Sequence, residues 1–335
     1  LGEKELLKRT TSGMILALLL SGVLTTASNV QPVEANGTIY IRADGSVDPP
    51  TAPIQRNGDV YVFTDDIYNS SIVVQRDNMT LDGNGHMLQW FQTYYDGIYL
   101  YVRKNVTITN MVISGFSNGI WLDSSHRNRI INNTILGCEQ SGISLSESSN
   151  HNSLENNIVM NTDSGILLTR SSCNTLLGNK VTDNIGGISL YTGTNNTLKG
   201  NIMTANKYNF FVGFFYKEYY MHDVDTSNIV EGKPIYYWIK HYNETVPMDA
   251  GCVVVVDSAN ITVKNLEIKK NTVGITLAFT RDSLIENITA VGSSSGISLD
   301  HSDSNVITGN NITSSFGAGI GLIESAYNNV TYNIV

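Results

Sequence analysis

Apolar and polar residues alternate along this chain in short bursts that return on a fixed period. A tetrad of Gly, Ile, any residue and Leu appears as Gly97-Ile98-Tyr99-Leu100, Gly119-Ile120-Trp121-Leu122, Gly142-Ile143-Ser144-Leu145, Gly165-Ile166-Leu167-Leu168 and Gly187-Ile188-Ser189-Leu190. It resumes at Gly274-Ile275-Thr276-Leu277, Gly296-Ile297-Ser298-Leu299 and Gly319-Ile320-Gly321-Leu322, and Gly251-Cys252-Val253-Val254 fits the same step. The step is about 22–23 residues, the length of one unit in a repeat architecture. Two further apolar stretches fall in each period, such as Ser153-Leu154-Glu155 and Ile158-Val159-Met160 around Asn156-Asn157. Three strands of a few residues per repeat, with no helical periodicity, predict an all-β solenoid in which each strand pairs with its copy one repeat on.

The predicted fold is a right-handed parallel β-helix of about ten coils, given the sheet spacing of ~4.8 Å. Ile143, Ile166, Ile188 and Ile297 should point inward. Asn133, Asn157, Asn179 and Asn201 should stack at one corner, because Asn tolerates the left-handed backbone and bonds to its copies. A leucine-rich repeat needs a helical or 3₁₀ convex side, and a left-handed β-helix needs a hexapeptide count; neither pattern is present. Residues 36–76 lack the tetrad but alternate, and should cover the first coil, whose open end is a sheet edge. Residues 77–335 carry the repeats, and the chain stops in mid-coil, which predicts a further C-terminal part. The period fails between Asn209 and Gly251. That stretch reads as one irregular coil whose two long loops, Phe214 to Asp225 and Lys240 to Ala250, edge the same sheet.

Composition narrows the function. Only 15% of residues are charged, against the usual quarter, so Asn, Ser, Thr and Tyr make the surface. A net charge of −9 without a dense basic patch excludes nucleic acid as the partner. Residues 1–35 read as a signal peptide: Lys4, Lys8 and Arg9 precede the apolar run Met14–Leu24, with cleavage expected after Ala35 or, alternatively, at Ala27. Export to the periplasm, cell surface or medium follows, and the sequons at Asn78, Asn105, Asn260 and Asn311 agree with a glycoprotein. No membrane span is expected in the mature chain, and three cysteines make no disulfide framework.

The tetrad with its Asn companions resembles the pectin-lyase-like superfamily. Asn78-Met79-Thr80-Leu81-Asp82-Gly83-Asn84-Gly85-His86 and Asp225-Thr226-Ser227-Asn228-Ile229-Val230-Glu231-Gly232-Lys233-Pro234-Ile235-Tyr236-Tyr237-Trp238 resemble, more narrowly, the NosD-type β-helix proteins, also described as carbohydrate-binding and sugar-hydrolysis domains. That resemblance implies an extracytoplasmic protein associated with polysaccharide, or with maturation of a copper centre. Met221, His222, His241, Met248 and Cys252 are the soft donors in the irregular region, but no short-spaced ligand set exists, and no metal site is assigned.

Strand alternation sends Tyr99, Trp121 and Ser144 outward, and beside them Tyr101, Asp123 and Tyr191. Tyr99, Tyr101, Trp121, Asp123 and Tyr191 are the candidate sugar-binding residues, since aromatic faces stack on sugar C–H faces while carboxylates meet hydroxyls. His222, Asp223, Asp225 and His241 are the candidate catalytic residues of an alternative lyase, epimerase or hydrolase, since a His beside carboxylates suits proton transfer. Lys217, Glu218, Glu244 and Asp249 would flank them. Asn161-Thr162-Asp163 resembles one motif of the polygalacturonases without its companions, and reads as a turn. Asp300-His301-Ser302-Asp303 distantly resembles the acidic-His motif of β-helix uronate epimerases, with Ser302 where Pro is expected.

Overall fold

A computed structural model describes residues 37–91, 94–213, 215–313 and 317–335. The expected export segment lies outside the described residues. The described residues belong to one compact unit. Within it the period becomes stacked parallel strands: Ile98, Ile120, Ile143, Ile166, Ile188 and Phe210 pair in register along the first sheet. Each such side chain is 0–2% exposed, so every coil buries its Ile and Leu against the coils above and below, each worth about 2 kcal/mol. The tetrad glycine is required by space. A Cβ on Gly142 or Gly165 would lie 2.1 or 2.2 Å from the Val159 or Val181 methyl of the third sheet.

The second sheet stacks strands such as Arg129–Ile131, Ser153–Glu155 and Thr175–Leu177, and the third Thr134–Leu136, Ile158–Met160 and Lys180–Thr182. Between them runs the Asn ladder. The Asn157 Oδ1 accepts from the Asn133 backbone N–H at 3.0 Å, Asn179 does the same for Asn157 at 3.0 Å and Asn201 for Asn179 at 3.0 Å. Their Nδ2 groups donate onward from rung to rung, as from Asn157 to Asn179 at 3.0 Å. The left-handed residue at this corner is the one before each rung, Asn132, Asn156, Gly178 and Gly200. The ladder Asn therefore faces inward and serves as a buried hydrogen-bonding hub. A parallel ladder, Asn128, Asn152, Asn174 and Asn196, runs between the first and second sheets.

Residues 37–76 are built into the helix itself. Gly37–Ile41 pairs parallel with Ser70–Val74, and Val60–Phe63 pairs parallel with Met79–Asp82, so Tyr61 and Phe63 are fully buried. Antiparallel strands finish this end: Val47–Asp48 on the first sheet and Ile54–Asn57 on the second.

Among the described residues the solenoid makes about twelve turns, rather than ten, because residues 37–76 contribute strands to the stack and the irregular stretch holds more than one coil. Val230-Glu231-Gly232-Lys233 is a tight hairpin with positive φ at both central residues, 46° and 82°, the geometry of a two-residue type I′ turn. It lays Lys233–Ile239 antiparallel to Ile229–Val230 at the growing edge of the third sheet. Cys252–Val256, Val273–Ala278, Ser295–Asp300 and Ile320–Ile323 then add parallel to Lys233–Ile239. The later tetrads thus extend the third sheet, to thirteen strands among the described residues, and not the first.

Reversing the strand also exchanges the faces. Ile235, Tyr237, Cys252, Val254 and Val256 pack into the core of the first segment, whereas Val253, Val255, Ile275, Leu277, Ile297 and Leu299 belong to a second core. Two β-helical segments therefore lie on opposite faces of one continuous sheet. The pairing of Val253 with Ile275 puts Val253, and not Cys252, at the Ile position of the tetrad, and a slip of one turns a side chain to the other face. Cys252 is core, but of the first segment.

Candidate functional site

The outward column of the first sheet carries Tyr40, Val73, Tyr99, Trp121, Ser144, Leu167, Ser189 and Phe211 in register. Tyr99 and Trp121 rings lie 4.9 Å apart, Tyr99 and Tyr101 6.3 Å and near parallel, and Tyr191 and Phe211 4.6 Å. Polar contacts hold these rings. The Tyr99 hydroxyl donates to Asp123 Oδ2 at 3.3 Å and the Trp121 Nε1–H to Ser146 Oγ at 2.8 Å. Partial burial, reinforced by Asp123, pushes the Tyr99 phenol up to about 12, so it stays a donor. All five expected sugar-binding residues thus stand on one outer face, with Tyr101 the most exposed at 57%. Four strand spacings, about 19 Å, separate Trp121 from Phe211.

That face ends at the second segment. Phe211, Val212, Gly213 and Tyr220 from the last coil of the first segment meet Thr276, Ser298 and Asp300 from the outer face of the second across a cavity of about 260 Å³. Tyr220 is set by contacts on three sides. Gly213, at φ +120°, has the Tyr220 ring where a Cβ would stand, 2.4 Å away. The Tyr237 hydroxyl donates to the Tyr220 carbonyl at 2.6 Å. The Tyr220 hydroxyl donates to Asp300 Oδ2 at 2.6 Å. Burial, and then Asp300, raises the Tyr220 phenol well above its ordinary value. His301 bridges two carboxylates, with Nδ1 2.6 Å from Asp300 and Nε2 2.7 Å from Glu324, and its ring stacks on Phe279. The hydrogen bond to Asp300, with the charges of Asp300 and Glu324, lifts its pKa against a smaller burial effect. Tyr220 was not singled out in the sequence; its signal was an aromatic beside the lost period. A larger open groove of about 940 Å³ runs past Asp163, Asp183 and Lys207, but no aromatic ring is among its described lining residues.

Each of the four residues expected to be catalytic has partners of its own in the fold. His222 is the last rung of the second Asn ladder: its Nδ1 accepts the Asn196 backbone N–H at 3.2 Å and its Nε2 faces the Tyr219 carbonyl at 3.1 Å. Burial pushes its pKa down to about 4, only partly offset by that carbonyl, so the ring is neutral at pH 7. Asp223 is exposed and pairs with Lys199 at 3.4 Å. Asp225 accepts from the Ser227 backbone N–H at 3.0 Å and from its hydroxyl, closing a turn. His241 stacks on Trp238 at 4.7 Å and pairs with Glu244 at 3.0 Å. His222 packs edge-on against Tyr237, and successive residues of a strand face opposite ways. The sheet therefore stands between His222 and His241, and the convergence expected of the two loops does not occur. Of the flanking residues, Lys217 pairs with Asp257 at 2.7 Å and Asp249 accepts from Tyr236 at 2.9 Å.

One prediction follows from His222. Between pH 6.5 and about 4 the unfolded chain binds a proton that the folded chain refuses, so stability falls as pH drops through that window. The loss should reach about 3 kcal/mol by pH 4. Urea unfolding of the wild type and His222→Asn across this range checks it. Asn keeps the rung and should remove that part of the slope; equal slopes would refute the account.

The soft donors named from the sequence stand in different surroundings. Cys252 is buried with its thiol pushed up to about 12 by burial, and its Sγ faces the Val273 carbonyl. Met248 is exposed, Met221 packs on the first core, and both histidines are engaged as above. Among the described residues no three His, Cys, Asp or Glu side chains are grouped to hold a metal ion. No helix among them is long and apolar enough to cross a membrane.

Fold and face together define a two-segment parallel β-helix with an aromatic outer sheet. The chain belongs to the NosD family, described as periplasmic copper-binding protein (NosD), which matches residues 57–238 and 235–335. The two matches meet on the strand after the hairpin, where the segments join. No curated protein matches the chain. Among solved structures it is similar to the alginate lyase of Paenibacillus sp. str. FPU-7 (11% identity, TM-score 0.35, covering 79% of this chain and 92% of that one). It is also similar to the A-module of mannuronan C-5 epimerase AlgE6 from Azotobacter vinelandii (12%, TM-score 0.33, 82% and 80%). A third is the catalytic unit of the GH87 α-1,3-glucanase from Streptomyces thermodiastaticus strain HF3-3 (12%, TM-score 0.41, 92% and 71%).

Proposed function

We propose that this NosD-family chain is an exported glycan-binding protein, and that the glycan lies along the outer face of the first sheet. The observation that carries the reading is the run of outward aromatic rings, Tyr99, Tyr101 and Trp121 on adjacent coils and Tyr191 and Phe211 further on, held by Asp123 and Ser146. Rigid rings with polar neighbours offer stacking area at small entropic cost. Export is supported by the basic and apolar N-terminal pattern. Binding is favoured over turnover because Tyr220 and Asp300 are bonded to each other and the four acid–base candidates are occupied elsewhere. Binding is likewise favoured over copper-centre maturation, since among the described residues no three His, Cys, Asp or Glu side chains are grouped to hold a metal ion.

The test is a glycan array followed by calorimetry on the best ligand. Trp121→Ala should weaken binding by about 1–3 kcal/mol, as loss of a stacked anchor does. The melting temperature should barely move, because the Trp121 ring lies outside the core. Unchanged affinity in a folded Trp121→Ala protein would count against the reading.

A further inference from the structure

The cavity at the junction of the two segments is continuous with the aromatic face. Phe211 belongs to both: it ends the outward column of the first sheet and lines the cavity. The opposite wall comes from the second segment, which also bonds the edge of the last first-sheet strand, Asn209 N–H to the Lys270 carbonyl at 2.6 Å and Thr272 N–H to the Phe210 carbonyl at 3.3 Å, so a chain lying along the rings meets that wall there. The lining is mixed. Phe211 and Val273 supply apolar surface, and Thr276, Ser295 and Ser298 supply hydroxyls. None of those three hydroxyls makes a hydrogen bond within the described chain. Asp300 is 3% exposed. Each of its carboxylate oxygens already accepts one hydrogen bond, from Tyr220 and from His301, and a carboxylate oxygen takes two. Among the described lining residues there is a carboxylate and no Lys or Arg.

From this arrangement we infer that the junction cavity is a subsite for the terminal residue of the glycan, and that this residue is a neutral sugar rather than a uronic acid. The inference rests on the glycan-binding reading and adds where the chain ends and what its end is. A volume of about 260 Å³ lies just below the range of about 300–1,000 Å³ usual for small-ligand pockets, which suits one ring and not a chain. A neutral ring offers an apolar C–H face to Phe211 and Val273 and hydroxyls to Thr276, Ser295, Ser298 and the spare lone pairs of Asp300. A uronate would bring a further carboxylate against Asp300, whose partner His301 is already shared between Asp300 and Glu324, and the described lining offers it no Lys or Arg; a buried charge without a partner is costly. The body of the glycan, on the open face, meets no such restriction.

The experiment uses the whole chain and calorimetric titration with tetrasaccharides of β-1,4-glucose, α-1,4-glucose and β-1,4-mannose, and with mannuronate and galacturonate tetramers. At least one neutral tetramer should bind tenfold or more tighter than both uronate tetramers. Ser298→Trp, which places a large ring in the cavity from an outward position, should weaken the neutral ligand tenfold or more. Asp300→Asn keeps the shape and should bring the uronate tetramers within about threefold of the neutral one. If Trp121→Ala weakens binding while Ser298→Trp and Asp300→Asn change nothing, the subsite is overturned and the glycan face stands. Uronate tetramers binding as well as neutral ones to the wild type would overturn it too. If no tetramer binds the wild type, the glycan reading itself falls. Should Ser298→Trp fail to fold, the selectivity change in Asp300→Asn decides alone.

Discussion

Ile166→Asp should cost about 5 kcal/mol and leave the chain unable to fold at ordinary temperature. Ile166 is fully buried between Ile143 and Ile188 on the adjacent coils. A carboxylate there would have apolar groups above, below and across the helix, and no cation or donor to pair with. An uncompensated charge in a core is among the most damaging of single changes. Leu167→Asp is the control, since the next residue along the strand points outward and is only partly buried. It should cost less than about 1 kcal/mol. Urea midpoints followed by far-UV circular dichroism separate the two, and equal losses would refute the assignment of inner and outer faces.

Asn179→Ala should cost about 4 kcal/mol, more than a surface Asn has any reason to. The Asn179 Oδ1 accepts from the backbone and side-chain amides of Asn157, both at 3.0 Å, and its Nδ2 donates to the Leu154 carbonyl and to Asn201 Oδ1, both at 2.9 Å. Alanine leaves these buried groups unpaired at a corner that water does not reach, at about 1–3 kcal/mol each before relaxation. The effect should spread along the axis, because each rung completes its neighbour. Amide hydrogen exchange should therefore speed up at Asn157 and the strands beside it. Asn156→Ala, one residue away on the exposed left-handed position, should cost only about 1–2 kcal/mol. A smaller loss at Asn179 than at Asn156 would overturn the ladder account.

Trp121 and His222 were both named from the sequence, and their outcomes differ for a reason. The orientation of Trp121 follows from strand alternation, which is local, so its place on the outer face was legible. The state of His222 depends on Asn196, whose backbone N–H it accepts across a gap of 26 residues. In the sequence His222 stands among polar loop residues. In the fold it takes the place that an Asn occupies in the coils before it.

What the sequence determined by itself was everything that repeats. A residue in a parallel solenoid meets its own copy one period on, so a 22-residue step with Ile, Leu and Asn in constant places already states the strands, the inward columns, the ladder and the outward rings. The tertiary structure decided what happens where the repeat is interrupted. Glu231-Gly232 is a hairpin cue of two residues, and its effect on direction is visible only when Lys233–Ile239 pairs antiparallel at the edge of the third sheet. That pairing moves the second core to the other face, sets Cys252 into the first, separates His222 from His241, and brings Tyr220 to Asp300 across 80 residues. No local pattern contains these contacts, because they join two segments whose relation is set by one turn.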